Sequence, residues 1–364
     1  MAKTNPFKII ESDDNELVQM IINKSRMRTK HHVMTRAACK MFRDLPTRAE
    51  VGLRVSDRDI PQLQAIQLFA DVLSLNGRMY GVRRRTDHRW YPEYNARFQE
   101  LMAAMPHFRS LLHLDVGRSR MNVESMDLLA EVLPQMHSLH SLSMEDALSM
   151  TVGDLTDYSP LSHASDLVRR LGVVLPLCKS LKKLDLKDNC IGKREGPGLE
   201  AANMLARVLP QCGKLTTLNL AANDIGETMP CDLIDRLPQI PSLEHLNLRQ
   251  NKLFDEGDDA MMQLVEVLPK CTSLTHLNLS KNNIIPPDMA LLAGALPHCT
   301  SLEHLDLSEN LFGDKGVIHL AAVLPLCTTL RFINLRDCNL EEGGSLAMQQ
   351  VLRNCPLPPT VQTE

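Results

Sequence analysis

The sequence predicts an α/β solenoid, a horseshoe of about eight repeats with parallel strands on its concave face and helices on its convex face. Two observations predict this fold. The pattern L-x-x-L-x-L-x-x-N recurs along the chain, and apolar residues at helical spacing, ending in Leu-Pro, separate successive copies. Alternation along a strand turns positions 4 and 6 inward and positions 3, 5 and 7 outward. A single unit cannot bury its apolar faces alone, so the units must stack.

Five copies of the pattern are close to the consensus and three are weaker. The close copies start at Leu181, Leu215, Leu243, Leu274 and Leu302, and the weaker ones at Leu111, Leu139 and Leu330. Consecutive copies start 28, 42, 34, 28, 31, 28 and 28 residues apart, which gives a basic period of 28. The position-9 asparagine of each close copy is predicted to satisfy backbone groups where the strand turns away. These asparagines are Asn189, Asn223, Asn251, Asn282 and Asn310.

These copies resemble the long, helix-containing class of leucine-rich repeat that is found in ribonuclease inhibitor, Ran GTPase-activating protein and the NOD-like receptors. The resemblance covers roughly residues 98–355. It implies a scaffold or recognition module that binds a protein partner and needs no cofactor. The phosphate-binding, dinucleotide-binding, zinc-protease and serine-hydrolase motifs are absent from the sequence, so we expect the protein not to be an enzyme.

Composition narrows the class of partner. The net charge is −4, with 40 basic and 44 acidic residues, and aromatic residues make up 4% of the chain. This balance disfavours nucleic acid as a partner. No apolar stretch is long enough for a membrane span or a signal-peptide core. We therefore expect a cytoplasmic monomer that does not bind membranes, or a protein delivered into a host cell if it is a bacterial effector.

The chain is predicted to divide into three regions. Residues 1–97 form a mainly helical N-terminal region that serves as a cap or an adaptor, residues 98–355 form the solenoid, and residues 356–364 form a disordered tail. Within the first region, helical spacing or strand-like composition marks Asp14–Arg26, His31–Phe42, Val51–Val55 and Ile60–Leu75. Val51–Val55 is the strand-like stretch, and the other three are predicted to be helical.

Six cysteines occupy the same place after the helix of their units, where Met136 and Ile240 stand in two other units. The six are Cys178, Cys212, Cys271, Cys299, Cys327 and Cys355. Stacked equivalents point in parallel, whereas a disulfide needs converging Cβ vectors. The sequence also lacks a C-x-x-C pair. We therefore predict free, buried thiols and no metal site.

The outward strand positions supply the candidate binding residues. They are polar and of mixed charge, which suits a protein partner with complementary charges. The partner-binding candidates are His113, Asp115, Lys183, Asp185, His245, Asn247, Arg249, His276, Asn278, Lys281, His304, Asp306 and Arg336. Three of these histidines share position 3 of adjacent copies, so we expect them in one row that is pH-sensitive and too flat to wrap a tetrahedral metal ion.

Two enlarged units carry longer loops between strand and helix, at residues 150–165 and 191–199. Neighbouring units place such loops on one rim, and long loops are often functional. The rim candidates are Asp154, Asp157, Tyr158, Lys193 and Arg194. We expect them to contribute to partner binding beside the concave face.

Two other functions stay open. Arg118 lies just after a strand, similar to the place where Ran GTPase-activating proteins carry a functional arginine, which could stabilise a transferring phosphoryl group. The next unit, LSMEDA, lacks the asparagine of that family, and its acidic C-terminal tail is also missing. The other alternative is a secreted bacterial effector or a ligase substrate-recognition subunit, in which residues 1–97 recruit machinery.

Overall fold

One sheet runs through the part of the chain that the structure describes. A computed structural model describes residues 111–117, 121, 123–148, 160–192, 198–228, 232–254 and 259–363, residue 102, and three strands before them. The strands are β1 Lys8–Ile10, β2 Gly52–Val55, β3 Val72–Leu75, β4 His113–Asp115, β5 Ser141–Ser143, β6 Lys183–Asp185, β7 Thr217–Asn219, β8 His245–Asn247, β9 His276–Asn278, β10 His304–Asp306, β11 Phe332–Asn334 and β12 Thr360–Gln362. These strands follow one another across the sheet in chain order. β1 and β2 pair antiparallel, and every later neighbouring pair is parallel.

The repeat pattern determines the strands from β4 to β11. Each covers positions 3, 4 and 5 of its copy, with a buried middle residue between two outward-facing ones. The buried middle residues, such as Leu142, Leu218 and Leu305, are completely covered. Position 6 is buried as well, as in Leu186 and Leu279. The predicted inward direction of positions 4 and 6 is therefore confirmed, and these leucines form the layer between the sheet and the helices.

Helices on the other side of this layer connect successive strands. They are α1 Val123–Val132, α2 Pro160–Val174, α3 Gly198–Val208, α4 Asp232–Asp235, α5 Asp259–Val267, α6 Pro286–Ala295, α7 Gly313–Val323 and α8 Glu342–Asn354. Most end just before a Leu-Pro pair, where a short 3-10 turn follows. Proline lacks the backbone N–H that an α-helix would use and restricts the residue before it, so the helix stops as predicted. Of the helices in the described residues, none combines the length and apolarity that crossing a membrane would require.

A ladder of asparagine side chains joins the repeats. Its members are Asn189, Asn223, Asn251, Asn282 and Asn310, all completely buried. Asn223 shows the arrangement: its Oδ1 accepts hydrogen bonds from the backbone N–H groups of Asn189 and Ile191, at 2.9 and 3.3 Å. Its Nδ2 donates to the carbonyls of Leu186 and Leu220, both at 2.9 Å. The predicted structural role of position 9 is confirmed, because each amide serves the backbone of two neighbouring repeats.

The N-terminal region contributes strands to the same sheet. β2 coincides with the strand expected at 51–55, and that prediction is confirmed. Residues 72–75 end the stretch expected to be helical, yet they form β3, which pairs with both β2 and β4. The helical prediction is therefore wrong for these four residues, because pairing with strands distant in sequence outweighs local periodicity. The helices expected at 14–26 and 31–42 lie outside the described residues.

The end of the chain also adds to the sheet. Residues 356–364 were expected to be a disordered tail, but residues 360–362 form β12, parallel to β11. That prediction is wrong for these residues because Val361 takes the inward position beside Ile333. Gln362, with its amide oxygen turned toward Arg336, accepts two hydrogen bonds from the guanidinium at 3.2 and 2.6 Å. The last segment therefore continues the repeat geometry and covers the edge of β11.

The post-helix cysteines, which we call the cysteine column, occupy equivalent positions after the helices of successive units. All six are free; Cys212, Cys299 and Cys327 are buried, and the other three are half-buried. Each of the first five thiols lies 3.4–3.8 Å from the carbonyl four residues before it. Burial is the main cause that raises the pKa of Cys212 to about 11 and that of Cys299 to about 12. The Cys212 and Cys299 thiols therefore serve packing and carry little thiolate at neutral pH.

We expect the native column to resist thiol reagents. A pKa of about 11 rather than 9 at Cys212 leaves about a hundredth of the usual thiolate at a given pH. Treatment with a thiol reagent, followed by mass spectrometry, should label Cys212 and Cys299 slowly in the native protein and rapidly in denaturant. Equal labelling rates in the two states would contradict this burial.

Candidate functional site

The candidate face is the outward side of the sheet from β4 to β11. The register places the position-3 residues side by side across these strands. They are His113, Ser141, Lys183, Thr217, His245, His276, His304 and Phe332. Lys183 is exposed, and the other seven are half-buried. The structure therefore brings the position-3 candidates of the sequence analysis together on one surface.

Four of these side chains form a continuous stack, which we call the ring row: His245, His276, His304 and Phe332. The ring centroids of His245 and His276 are 4.1 Å apart, as are those of His276 and His304. The Phe332 ring follows at 5.8 Å from that of His304. The central imidazole also lies 2.8 Å from the Thr275 hydroxyl through its Nδ1. The sequence predicts that the three histidines form a row. The structure adds that the His276 and His304 rings are stacked, with an angle of 10°, whereas the other two neighbouring pairs are tilted by 34° and 36°.

The stacking angle bears on metal binding. The His276 and His304 rings are inclined by only 10°. The lone pair of an imidazole nitrogen lies in the plane of its ring, so two nearly parallel rings direct their lone pairs side by side. A zinc ion lies about 2.0–2.1 Å from each ligand nitrogen and needs lone pairs that converge on it. Within the described ranges, no group of three or more His, Cys, Asp or Glu residues is placed to hold a metal ion. The chemistry that the ring row offers is stacking, hydrogen bonding and protonation.

Position 5 has a structural task that the sequence analysis missed. From β4 onward, Asp or Asn at this position accepts a hydrogen bond through Oδ1 from the backbone N–H two residues later, at 2.9–3.2 Å. The residues involved are Asp115, Asp185, Asn219, Asn247, Asn278, Asp306 and Asn334. Five of these seven were partner-binding candidates. Their repeated short carboxyl or amide side chains were the available signal, because such residues favour local turns.

Three charged binding candidates, at positions 7 and 8 of their copies, lie beside the ring row. Arg249 contacts Glu309 at 2.5 Å and the Ser280 hydroxyl at 2.8 Å, so it spans three repeats. Lys281 and Arg336 are exposed. These three side chains place positive charge at the edge of the ring row and were all predicted as binding residues.

The first half of the face carries charged side chains of both signs. Glu145 pairs with Lys187 at 2.6 Å across β5 and β6. Partial burial, followed by the nearby carboxylate of Asp146, raises the pKa of Asp188. Asp224 is held by Lys252 at 2.8 Å. The face therefore carries paired charges of both signs, which suits a partner with complementary charges.

The remaining candidates are Arg118 and the residues of the two rim loops. Arg118 and all five rim residues, Asp154, Asp157, Tyr158, Lys193 and Arg194, lie outside the described residues. The predicted bounds of the two rim loops need correction. Residues 160–165 begin α2, and residues 198–199 begin α3. These segments are helical because each continues directly into an amphipathic run that packs on the core.

A family model and the solved structure of LegL7 agree with this architecture. The family model described as Leucine Rich repeat matches residues 177–194, 239–261, 270–293 and 298–321. A leucine-rich repeat-containing protein from Legionella pneumophila, LegL7, has 19% identity and a TM-score of 0.50, with 90% of this chain and 85% of that chain covered. An internalin (inlF) from Listeria monocytogenes has 14% identity and a TM-score of 0.41, with coverage of 91% and 88%. The comparison with curated proteins gives no match.

Proposed function

Because the chain is a leucine-rich repeat protein, we propose that it is a recognition module that binds a protein partner through its concave strand face. The observation that supports this proposal most directly is the registered row of position-3 side chains. Adjacent strands present them half-exposed, while the alternating leucines are buried. The result is a polar surface with closely spaced rings and charges of both signs, which is the composition of a protein-binding face rather than a catalytic pocket.

The proposal extends to the subclass and the state of the protein. The 28-residue spacing and the α-helix in most units support the ribonuclease-inhibitor-like class of repeats. We propose that the protein acts in the cytoplasm as a monomer, without catalytic activity of its own. The near balance of 40 basic and 44 acidic residues supports a protein partner over nucleic acid.

Substitutions on the concave face are expected to abolish partner binding. Thr217→Glu combined with His276→Glu places two carboxylates on strands β7 and β9 of the face. Because desolvated mismatches in an interface cost about 2–4 kcal/mol, we expect capture of the partner to fall at least about ten-fold. Tagged variants would be compared by quantitative mass spectrometry after capture from the lysate of the source cells.

The convex side offers a matched control. Met262 and Ile318 are each 52% exposed on helices α5 and α7, so Met262→Glu with Ile318→Glu adds the same charges away from the concave face. This control should retain the proteins captured by the wild type. Undiminished capture by the concave variant, or equal losses in both variants, would overturn the proposal.

A further inference from the structure

The ring row combines three properties. Its imidazoles are half-exposed, they stack with centroids 4.1 Å apart, and their spacing is fixed by the register of β8, β9 and β10. Histidine is also the side chain whose charge normally changes near neutral pH. Protonation of one ring therefore places a positive charge directly against the next.

The charged side chains around the ring row nearly cancel. Those next to it at positions 2, 5, 7 and 8 of the four repeats are Glu244, Arg249, Lys281, Glu303, Asp306, Glu309, Arg331, Arg336 and Asp337. Four are cationic and five are anionic. The surface is therefore close to neutral while the imidazoles are neutral, and each protonation of a ring makes it more positive.

Two of these carboxylates already have partners on the protein. Glu309 pairs with Arg249 at 2.5 Å. Asp306 accepts hydrogen bonds from the backbone N–H and the hydroxyl of Ser308, at 3.0 and 2.7 Å, and from Asn278 at 3.3 Å. They are therefore not free to turn toward the rings as compensating charges. Glu244 and Glu303 are exposed at position 2 of their copies, and Lys281 and Arg336 are exposed at positions 8 and 7 of theirs.

We propose that the ring row is a proton-linked docking strip for an acidic segment of the protein partner. A carboxylate of the partner beside the ring edges would stabilise the protonated imidazoles, whereas protonated imidazoles next to each other destabilise one another. The complex would then hold more protons than the free protein, so affinity for an acidic segment rises as pH falls through the histidine range. This inference rests on the proposed function, and it specifies both the chemistry of the partner and a condition for binding.

The electrostatics of the central ring support this direction. Burial, followed by the neighbouring His245 and His304, lowers the pKa of His276. Glu303 and Glu244 oppose that effect but are the weaker causes. In the free protein, the His276 imidazole is therefore neutral at neutral pH. A bound carboxylate would favour its protonated form.

The probe for this proposal is a short peptide of alternating glutamate and serine, with a lysine–serine peptide of equal length as comparison. Binding to the full chain would be measured by calorimetry at about pH 5.5 and about pH 7.5, at one ionic strength and in buffers of different ionisation enthalpy. We expect the acidic peptide to bind about ten-fold more tightly at the lower pH, since one pKa unit corresponds to that factor. It should also take up protons on binding. No binding at the lower pH, or equal affinity at both, would overturn the proposal.

Histidine substitutions locate the effect. His245→Gln, His276→Gln and His304→Gln together should remove the pH dependence. The matched control replaces His137, His298 and His319, three exposed histidines outside the ring row, with glutamine and should retain it. Loss of the pH dependence in the control alone would contradict the assignment.

Two further readouts keep the result interpretable. If the ring-row variant does not fold, the imidazole carbon chemical shifts of the wild type can be followed with pH, with and without the acidic peptide. The peptide should move the ring-row titrations to higher pH, and unchanged midpoints would refute the proposal. If Thr217→Glu with His276→Glu abolishes partner capture while peptide affinity is independent of pH, only the docking-strip inference fails. If capture is also unaffected, the proposed function fails as well.

Discussion

Replacing Asn282 with alanine is expected to lower the free energy of unfolding by about 3–5 kcal/mol. Its Oδ1 accepts from two backbone N–H groups of the preceding repeat, at 2.9 and 3.4 Å. Its Nδ2 donates to three carbonyls, at 2.9, 3.1 and 3.2 Å. The Asn282 side chain is completely buried, and the backbone groups that it contacts lie in the same interior. Alanine would leave them without partners in the interior, and each unsatisfied group costs about 1–3 kcal/mol.

Chemical denaturation followed by circular dichroism would measure this loss. Asn354→Ala is the matched control, since Asn354 is exposed near the end of α8 and its side chain donates only to the Gln350 carbonyl, at 3.1 Å. That control should stay within about 0.5 kcal/mol of the wild type. If the two variants unfold at the same denaturant concentration, the ladder does not hold the repeats together.

The last repeat shows how the ladder ends. Cys338 stands at position 9, where the five copies before it have asparagine. Its buried thiol approaches the carbonyls of Leu307 and Arg336 at 3.1 and 3.4 Å. The thiol therefore takes the place that the asparagine Nδ2 group has in those five copies, in contact with the preceding repeat. A thiol is a weaker donor than an amide, and this position faces only the short β12 segment on its other side.

The repeat made most of the fold predictable from the sequence. Once Leu246, Leu277 and Leu305 are recognised as equivalent, strand alternation turns them inward, and stacking places them in adjacent strands. The same equivalence assigns His245, His276 and His304 to one row. This part of the candidate face therefore follows from counting along the sequence.

Segments without a repeat partner were predicted less well. Residues 72–75 end a run with helical spacing but pair with β2 and β4. Residues 360–362 contain one apolar side chain, Val361, which is too little for a periodic signal, and pairing with β11 makes them a strand. In both cases, hydrogen bonding to distant residues decides the structure, and local composition does not contain that information.

The geometry of the site was also beyond the sequence. Equal positions predict that three histidines are neighbours, but the 10° inclination of His276 and His304 depends on side-chain torsions. The contact of Arg249 with Glu309 joins side chains 60 residues apart. Ring stacking and ion pairing on this face are therefore properties of the folded surface, and the sequence supplies only the residues.

Replacing Gly226 with alanine is expected to lower the free energy of unfolding by about 3 kcal/mol, at the upper end of the usual cost of overpacking. A Cβ atom at this position would lie 1.9 Å from the carbonyl oxygen of Lys252 and 2.7 Å from the Cα of Leu253. Both atoms belong to the backbone of the next repeat, so no side-chain rotation relieves the clash. The Gly226 N–H also donates to the Asn251 carbonyl at 2.9 Å. The two repeats would have to separate, losing packing and hydrogen bonds together.

Gly294→Ala distinguishes this contact from the general effect of adding a methyl group. Gly294 lies exposed in α6, and a Cβ there would meet no atom within 4 Å. Alanine favours a helix over glycine by about 0.8–1 kcal/mol in the interior and less near an end, so this variant should be as stable as the wild type or more so. Denaturation midpoints would measure both variants under the same conditions. A Gly226→Ala protein as stable as the Gly294→Ala protein would mean that neighbouring repeats are not held together by close backbone contact, and that their spacing can relax without loss.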